Sequence, residues 1–337
     1  MKKSLPLISI SFLLLSLTAC AKGPLSQFNL SFSAVSSSEA ISSDSNSKEE
    51  SGQSQDPYYA GEGVIPKKVG NSIQYGIYPQ NVITDPDEIR YLNRVSDSFP
   101  VLENGWHMID DHPFLKIHPT PASEEYCFNP AYGPINPEKE YWFHVSPVSW
   151  SIMSSDSSGN YLVAADFVLD RAPCFNSPYE GKQNGHYANA WEDSEIRRFL
   201  HNEFFETAFR FSKKEYIVES VVDNSPLSMD YREEEEENGK DTTDRFFLPS
   251  YMDLLGNRNP SLGNYLISCV SDYSRAIGVL CEDNVDDFGA SLWTRTPCEG
   301  SQEVWSIKSG KEIEMVKSPI ESTNLGIRPM MVIHLPE

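Results

Sequence analysis

The sequence predicts one domain in which helices and strands occur together and bury one another, preceded by segments that do not fold with it. Three observations carry this reading. The stretch Trp191 to Ile217 holds the strongest helical periodicity in the chain. Strand-like segments flank it, including a hairpin pattern between Tyr141 and Leu169 and a last apolar run from Gly326 to Leu335. Long connections rich in Pro, Gly and Asp separate these elements. Within the helical stretch, Ile196, Phe199, Leu200, Phe204 and Ala208 recur at three- and four-residue steps. That spacing sets them on one helix face, with Glu195, Arg198, Asn202 and Glu206 mostly on the other. Asp193 or Ser194 can accept from the free N–H groups of the first turn. Ser212 and Glu215 have capping-box spacing, which predicts a second helix starting just after the first. So large an aromatic face needs a covering layer, and Trp191 and Phe199 are expected in the core beneath it. The polar face mixes charges and arranges nothing for chemistry, so the stretch reads as structural.

Composition bounds the function. The 337 residues carry 27 basic and 49 acidic side chains, a net charge of −22. Such a chain repels nucleic acid and anionic headgroups, so nucleic acid is excluded as a partner. The six cysteines are Cys20, Cys127, Cys174, Cys269, Cys281 and Cys298. They contain no CxxC pair, which argues against a zinc ribbon or thioredoxin-like site. With Cys20 used elsewhere the five others cannot all pair within one chain; a Cys281–Cys298 bridge and unbridged thiols both stay open.

In chain order, residues 1–20 read as a secretion signal: Lys2 and Lys3, an apolar run from Leu5 to Leu17, then Leu17-Thr18-Ala19-Cys20. This ending resembles the lipobox of bacterial lipoproteins, which implies lipid on Cys20, export, and attachment to the membrane facing away from the cytoplasm. No later run approaches the ~20 apolar residues needed to span a bilayer. Residues 21–56 are Ser-rich and polar and read as a disordered tether. Taken as a coil, residues 33–56 span roughly 27 Å. Residues 57–337 read as the single folded domain. Ile73 to Pro79 is a strand ending at Pro79, and residues 80–140, punctuated by prolines, read as long loops with short strands. Tyr141–Val145 and Val148–Met153 form one strand broken at Pro147; after a turn at residues 156–160, Tyr161–Leu169 completes the hairpin. Residues 225–241, with Glu233 to Glu237, form an acidic insertion expected to be solvated. Strands at Thr243–Leu248, Ala290–Thr294 and Glu303–Ile307, a short helix capped by Ser250 and running through Leu255, and a helical piece from Ser271 to Ile277 stopped by Gly278 precede the last strand.

Several segments together resemble a known family. They are Tyr75-Gly76-Ile77-Tyr78-Pro79-Gln80, Val168-Leu169-Asp170, the run Trp191 to Ile217, Thr242 to Leu248, Leu292-Trp293-Thr294-Arg295-Thr296-Pro297, and Gly326-Ile327-Arg328-Pro329. In this order they resemble the bacterial domain-of-unknown-function family 6273, which in turn is similar to the formylglycine-generating-enzyme fold of the C-type-lectin-like superfamily. The resemblance implies an α+β fold with two central helices, small antiparallel sheets and long irregular loops. It also implies that Arg295 and Arg328 hold the core by pairing with carboxylates and backbone carbonyls. It breaks at the copper-binding cysteines of the formylglycine-generating enzymes. Cys281 and Cys298 are too far apart to match them, so no such oxidase activity is expected.

No GxSxG, HExxH or Walker loop occurs, so no catalytic residue is assigned. His107, His112 and His118 have no metal-site spacing. Asp283, Asp286 and Asp287 could offer carboxylates to Ca²⁺, but without EF-hand spacing a solvated loop is expected, with no cofactor. The expected function is a surface-anchored binding module for a glycan, peptide or protein. Its ligand residues would be Asp286, Trp293 and Trp305, since acidic groups beside aromatic faces suit sugars and cationic groups. An enzyme acting on envelope or extracellular material, and a purely structural lipoprotein, are the alternatives.

Overall fold

The computed structural model of the chain describes residues 63–128, 133–172, 174–225, 239–255, 265, 269–281, 289–300, 302–309 and 313–335. The signal, Cys20 and the tether lie outside them, as do Asp283, Asp286, Asp287 and residues 226–238 of the acidic insertion.

The fold is mixed α+β, dominated by strands. The first part contains β1 (Lys67–Val69), β2 (Ser72–Val82), helix α1 (Pro86–Val95), β3 (Trp106–Ile109), β4 (His112–Ile117), β5 (Tyr141–Ser155) and β6 (Asn160–Ala165). Short strands β7 (Phe167–Val168) and β8 (Asp170–Arg171) lead to α2 (Glu195–Phe199), a π-helical turn (Leu200–Phe204) and α3 (Phe205–Ala208). Then come β9 (Ile217–Val218), β10 (Ser220–Val222), β11 (Thr242–Asp244), β12 (Phe246–Phe247), α4 (Tyr251–Leu255), β13 (Cys269–Val270) and α5 (Asp272–Ala276). The last strands are β14 (Ser291–Pro297), β15 (Glu303–Ser309), β16 (Ile313–Pro319), β17 (Gly326–Ile327) and β18 (Met330–His334).

Among the described residues, nine strands make the larger sheet, in the order β1-β2-β5-β6-β18-β12, with β4 carrying β3 onto β5 and β9 beside β18. A five-stranded sheet runs β16-β15-β14-β17-β8, and β10–β11 and β13–β7 form small pairs. The β5–β6 hairpin closes because Asp156 Oδ1 accepts from the N–H groups of Ser158 (2.8 Å) and Asn160 (2.9 Å). Met330 to Ile333 are all buried, as a strand enclosed on both faces requires.

The central helical run lies over this sheet. Ser194 caps it, its Oγ accepting from Arg197 N–H at 3.1 Å. Ile196, Leu200, Phe204, Phe205, Ala208 and Phe209 are buried. Consecutive residues cannot share one face of a regular α-helix; the wider π turn lets both Phe204 and Phe205 face inward. The Phe204 ring lies 5.3 Å from both Tyr78 and Phe246. Gly76 has φ +70°, and a Cβ there would sit 2.8 Å from Phe209 Cε1, so glycine admits that ring.

Several sequence expectations are corrected. Phe199 is half-buried, at the margin of the core rather than beneath the helix, because the π turn rotates the following residues inward. The stretch 80–140 contains α1, capped by Asp85, as well as the β3–β4 hairpin. β5 runs unbroken through Pro147 and β2 through Pro79, since register shifts beside both prolines accommodate their missing N–H groups. No helix restarts at Ser212: it forms a bridge with Val64, and a single 3₁₀ turn, Lys214–Tyr216, follows without a side-chain cap. Of the two cysteine alternatives left open by the sequence, the structure carries the unbridged one, with Cys127, Cys174, Cys269, Cys281 and Cys298 as thiols. Among the described residues no helix is long and apolar enough to cross a membrane.

Candidate functional site: a cleft at the head of the central helix

Asn184-Gly185 carries the geometry that builds the site. Asn184 has φ +55° and Gly185 φ +97°, as a type I′ turn requires. Gln183 N–H donates to His186 O at 2.9 Å, and His186 N–H returns to Gln183 O at 3.2 Å. This tight turn delivers His186 into a buried position, with its side chain 3% exposed. Its Nε2 lies 3.5 Å from Glu192 Oε2 and 3.3 Å from Asp193 Oδ2, while Nδ1 is 3.4 Å from Tyr187 O. Both ring nitrogens therefore face oxygen atoms.

Glu192 and Asp193 are set by their neighbour Trp191, which is fully buried. Its Nε1 donates to Asp244 Oδ2 at 2.8 Å. Thr242 Oγ1 donates to the same oxygen at 2.7 Å, and Arg197 Nε to Oδ1 at 2.7 Å. His201 Nε2 sits 3.2 Å from Oδ1. Burial alone would raise the Asp244 carboxyl, but these contacts and the Arg197 charge hold it below its ordinary range. Asp244 thus ties β11 to the start of the helical run.

The opposite wall is the base of the acidic insertion. Asn224 N–H donates to Asp241 Oδ1 and its Nδ2 to Lys240 O, both at 2.9 Å. Lys240 N–H donates across to Glu192 Oε2 at 3.1 Å. Between these walls opens a cleft of about 820 Å³, lined by Asn184, Gly185, His186, Glu192, Ser225, Gly239, Lys240 and Asp241. Its carboxylates favour a cationic or hydrogen-bond-donating ligand group. Among the described residues no group of three or more His, Cys, Asp or Glu side chains could hold a metal ion.

The residues expected from sequence lie elsewhere. Trp293 is fully buried on β14, its ring 5.5 Å from Phe175, so it presents no face to a ligand. That expectation is corrected, because β14 is covered on both faces. Trp293 pairs with Ser306, so Trp305, one residue away on β15, projects to the other face. There Trp305 is half-buried, 4.9 Å from the Tyr251 ring, with Lys317 Nζ 5.5 Å from its own. Asp286 lies outside the described residues. Arg295 donates to Leu248 O (2.7 Å) and Asp253 Oδ2 (2.8 Å). Arg328 Nε donates to Ala165 O at 2.6 Å, and its guanidinium lies 4.6 Å from the Tyr265 ring. Both arginines cross-link the interior. His186, Glu192, Lys240 and Asp241 were not singled out by the sequence, and Asp193 only as a candidate helix cap; the Asn184-Gly185 pair was the one local signal for the turn.

Residues 158–335 match a family model described as "Domain of unknown function (DUF6273)". No curated protein and no solved structure matches the chain.

Proposed function

This chain belongs to the DUF6273 family, and from that premise we propose that it is a lipid-anchored binding module outside the cytoplasm, taking a cationic group of a glycan, peptide or partner protein into the cleft. The observation that carries the reading is the juxtaposition of His186, Glu192 and Asp241 around one cavity, with Asp193 against His186. The scaffold is read as C-type-lectin-like. What supports this is a central helical run over antiparallel sheet, with Arg295 and Arg328 cross-linking the late strands. The lipobox-like Leu17-Thr18-Ala19-Cys20 supports the anchor.

A hydrolytic enzyme is the second reading, favoured by a histidine braced by two carboxylates. Among the described residues, however, His186 Nε2 meets Glu192 and Asp193 and no hydroxyl or thiol. The test is a titration of the soluble domain, residues 57–337, with cationic and neutral peptides and glycans. Glu192→Gln and Asp241→Asn should each weaken a cationic ligand about tenfold, with the loss fading in high salt. Trp305→Ala should leave affinity unchanged. Unaltered binding in both carboxylate variants would reject the cleft.

A further inference from the structure

His186 lies deeper in the cleft than the carboxylates beside it. It is buried, whereas the side chains of Glu192 and Asp193 are 26% and 43% exposed, so a ligand reaches the carboxylates before the ring. His186 Nε2 stands 3.5 Å from Glu192 Oε2 and 3.3 Å from Asp193 Oδ2, and Nδ1 stands 3.4 Å from Tyr187 O. All three oxygens are acceptors. A neutral imidazole carries one N–H and an imidazolium carries two. The protonated ring therefore offers a donor on both sides at once, and a neutral ring turns a lone pair toward oxygen on one of them.

The groups around the ring come from three elements. On the turn itself, Tyr179 Oη donates to His186 O at 3.3 Å, Asn184 Nδ2 to Asp193 Oδ2 at 3.3 Å, and Lys182 Nζ lies 5.2 Å from the Tyr187 ring. From the helical run, Arg197 donates through Nη1 to the Glu192 backbone O at 2.9 Å and through Nε to Asp244. From the base of the insertion, Lys240 N–H donates to Glu192 Oε2 at 3.1 Å, and Lys240 and Asp241 are exposed. The donors that meet the Glu192 and Asp193 carboxylates from Asn184 and Lys240 are an amide side chain and a backbone N–H, both neutral. His186, when protonated, is a cation in contact with both carboxylates.

We propose that uptake of a cationic group by the cleft is coupled to loss of a proton from His186. The inference rests on the reading of the cleft as a site for such a group. The ligand's cation and the His186 proton compete for Glu192 and Asp193, and the proton leaves the ring for solvent as the cation enters. In acid the imidazolium holds the carboxylates, and a ligand has to bring its charge beside a like charge. As pH rises through the range in which an imidazole loses its proton, about pH 5 to 8, the resident charge goes and affinity for the cation rises. The cleft thus takes a cationic ligand at neutral pH and releases it in acid.

The test is calorimetric titration of the full chain with N-acetyl-trilysine amide, whose charge is constant between about pH 6 and 8, at fixed salt. The wild type should bind about tenfold more tightly at pH ~8 than at pH ~6. His186→Gln keeps an N–H for the carboxylates but does not titrate, and should show at most about a twofold difference. At pH ~6 the heat for the wild type should vary with the ionisation enthalpy of the buffer, giving about 0.5–1 proton released per peptide bound. That count needs no variant, so it stands even if His186→Gln fails to fold. Equal wild-type affinity at both pH values, the same pH dependence in His186→Gln, or no proton released overturns the proposal and leaves the cleft reading in place. A peptide that binds at neither pH rejects the cleft as a cation site and the proposal with it.

Discussion

Replacing Asp244 with alanine should destabilise the domain strongly while leaving every apolar core contact in place. The carboxylate is fully buried and serves Trp191, Thr242, Arg197 and His201 together. Its loss strands the Trp191 N–H and the Thr242 hydroxyl, both buried, at about 1–3 kcal/mol each. Arg197 is 26% exposed and can rehydrate, so it adds less. The expected cost is roughly 3–5 kcal/mol, a large share of the ~5–15 kcal/mol available to a domain. Urea unfolding followed by tryptophan fluorescence at neutral pH measures it. The Asp244 carboxyl is held below its unfolded value, so its contribution stands above that unfolded value and is lost as pH falls through the folded one. The gap between wild type and Asp244→Ala should therefore narrow in acid. A loss under about 1 kcal/mol at neutral pH, or a gap that does not change with pH, would refute the assignment of Asp244 as the tie between β11 and the helical run.

Phe204→Ala should cost about 3–5 kcal/mol and Phe199→Ala clearly less, in the same urea assay; equal losses would contradict the inward rotation made by the π turn. Asp170, buried beneath the Tyr78 hydroxyl, is raised to about 6, chiefly by burial. Protonation thus favours the fold, and this contribution, about 3 kcal/mol, is present below the unfolded carboxyl value and lost as pH rises through about 6. Asp170→Asn should flatten that part of the stability–pH profile, and an unchanged slope would count against it. The Cys174 thiol, pushed up to about 12 by burial and by its hydrogen bond to Glu195, should react with iodoacetamide far more slowly than a free thiol at pH ~8, as read by mass spectrometry.

Local spacing made the buried helix face legible, because Ile196, Leu200, Phe204 and Ala208 follow a helical period whatever lies above them. The same spacing misplaced Phe199, since a π turn changes the period and leaves no mark in the pattern. Helix α1 carried its start signal in Asp85-Pro86-Asp87-Glu88. Its apolar residues Ile89, Leu92 and Val95 recur at helical spacing and pack on one cluster, a signal that is short and set among prolines and polar residues. The cleft was hidden for a different reason. His186 and Asp241 meet because Trp191 reaches Asp244 and Lys240 reaches Glu192, contacts across about fifty residues that no local period encodes. Trp293 and Trp305 looked like one aromatic face only until their strand register put them on opposite sides.

The position of β18 has a consequence for how the chain acquires its shape. It lies inside the larger sheet between β6 on one side and β9 and β12 on the other, and it follows all three in sequence. Its pairing of His334 with Asn160 joins residues from distant parts of the chain. Until β18 is made, β6 and β9 have no partner to hold them together, and the core beneath Phe204 and Phe246 has no closing strand. Folding of this half therefore waits on β18, with high contact order and a slow final step, and a partly made sheet that lacks β18 exposes the edges of both β6 and β9.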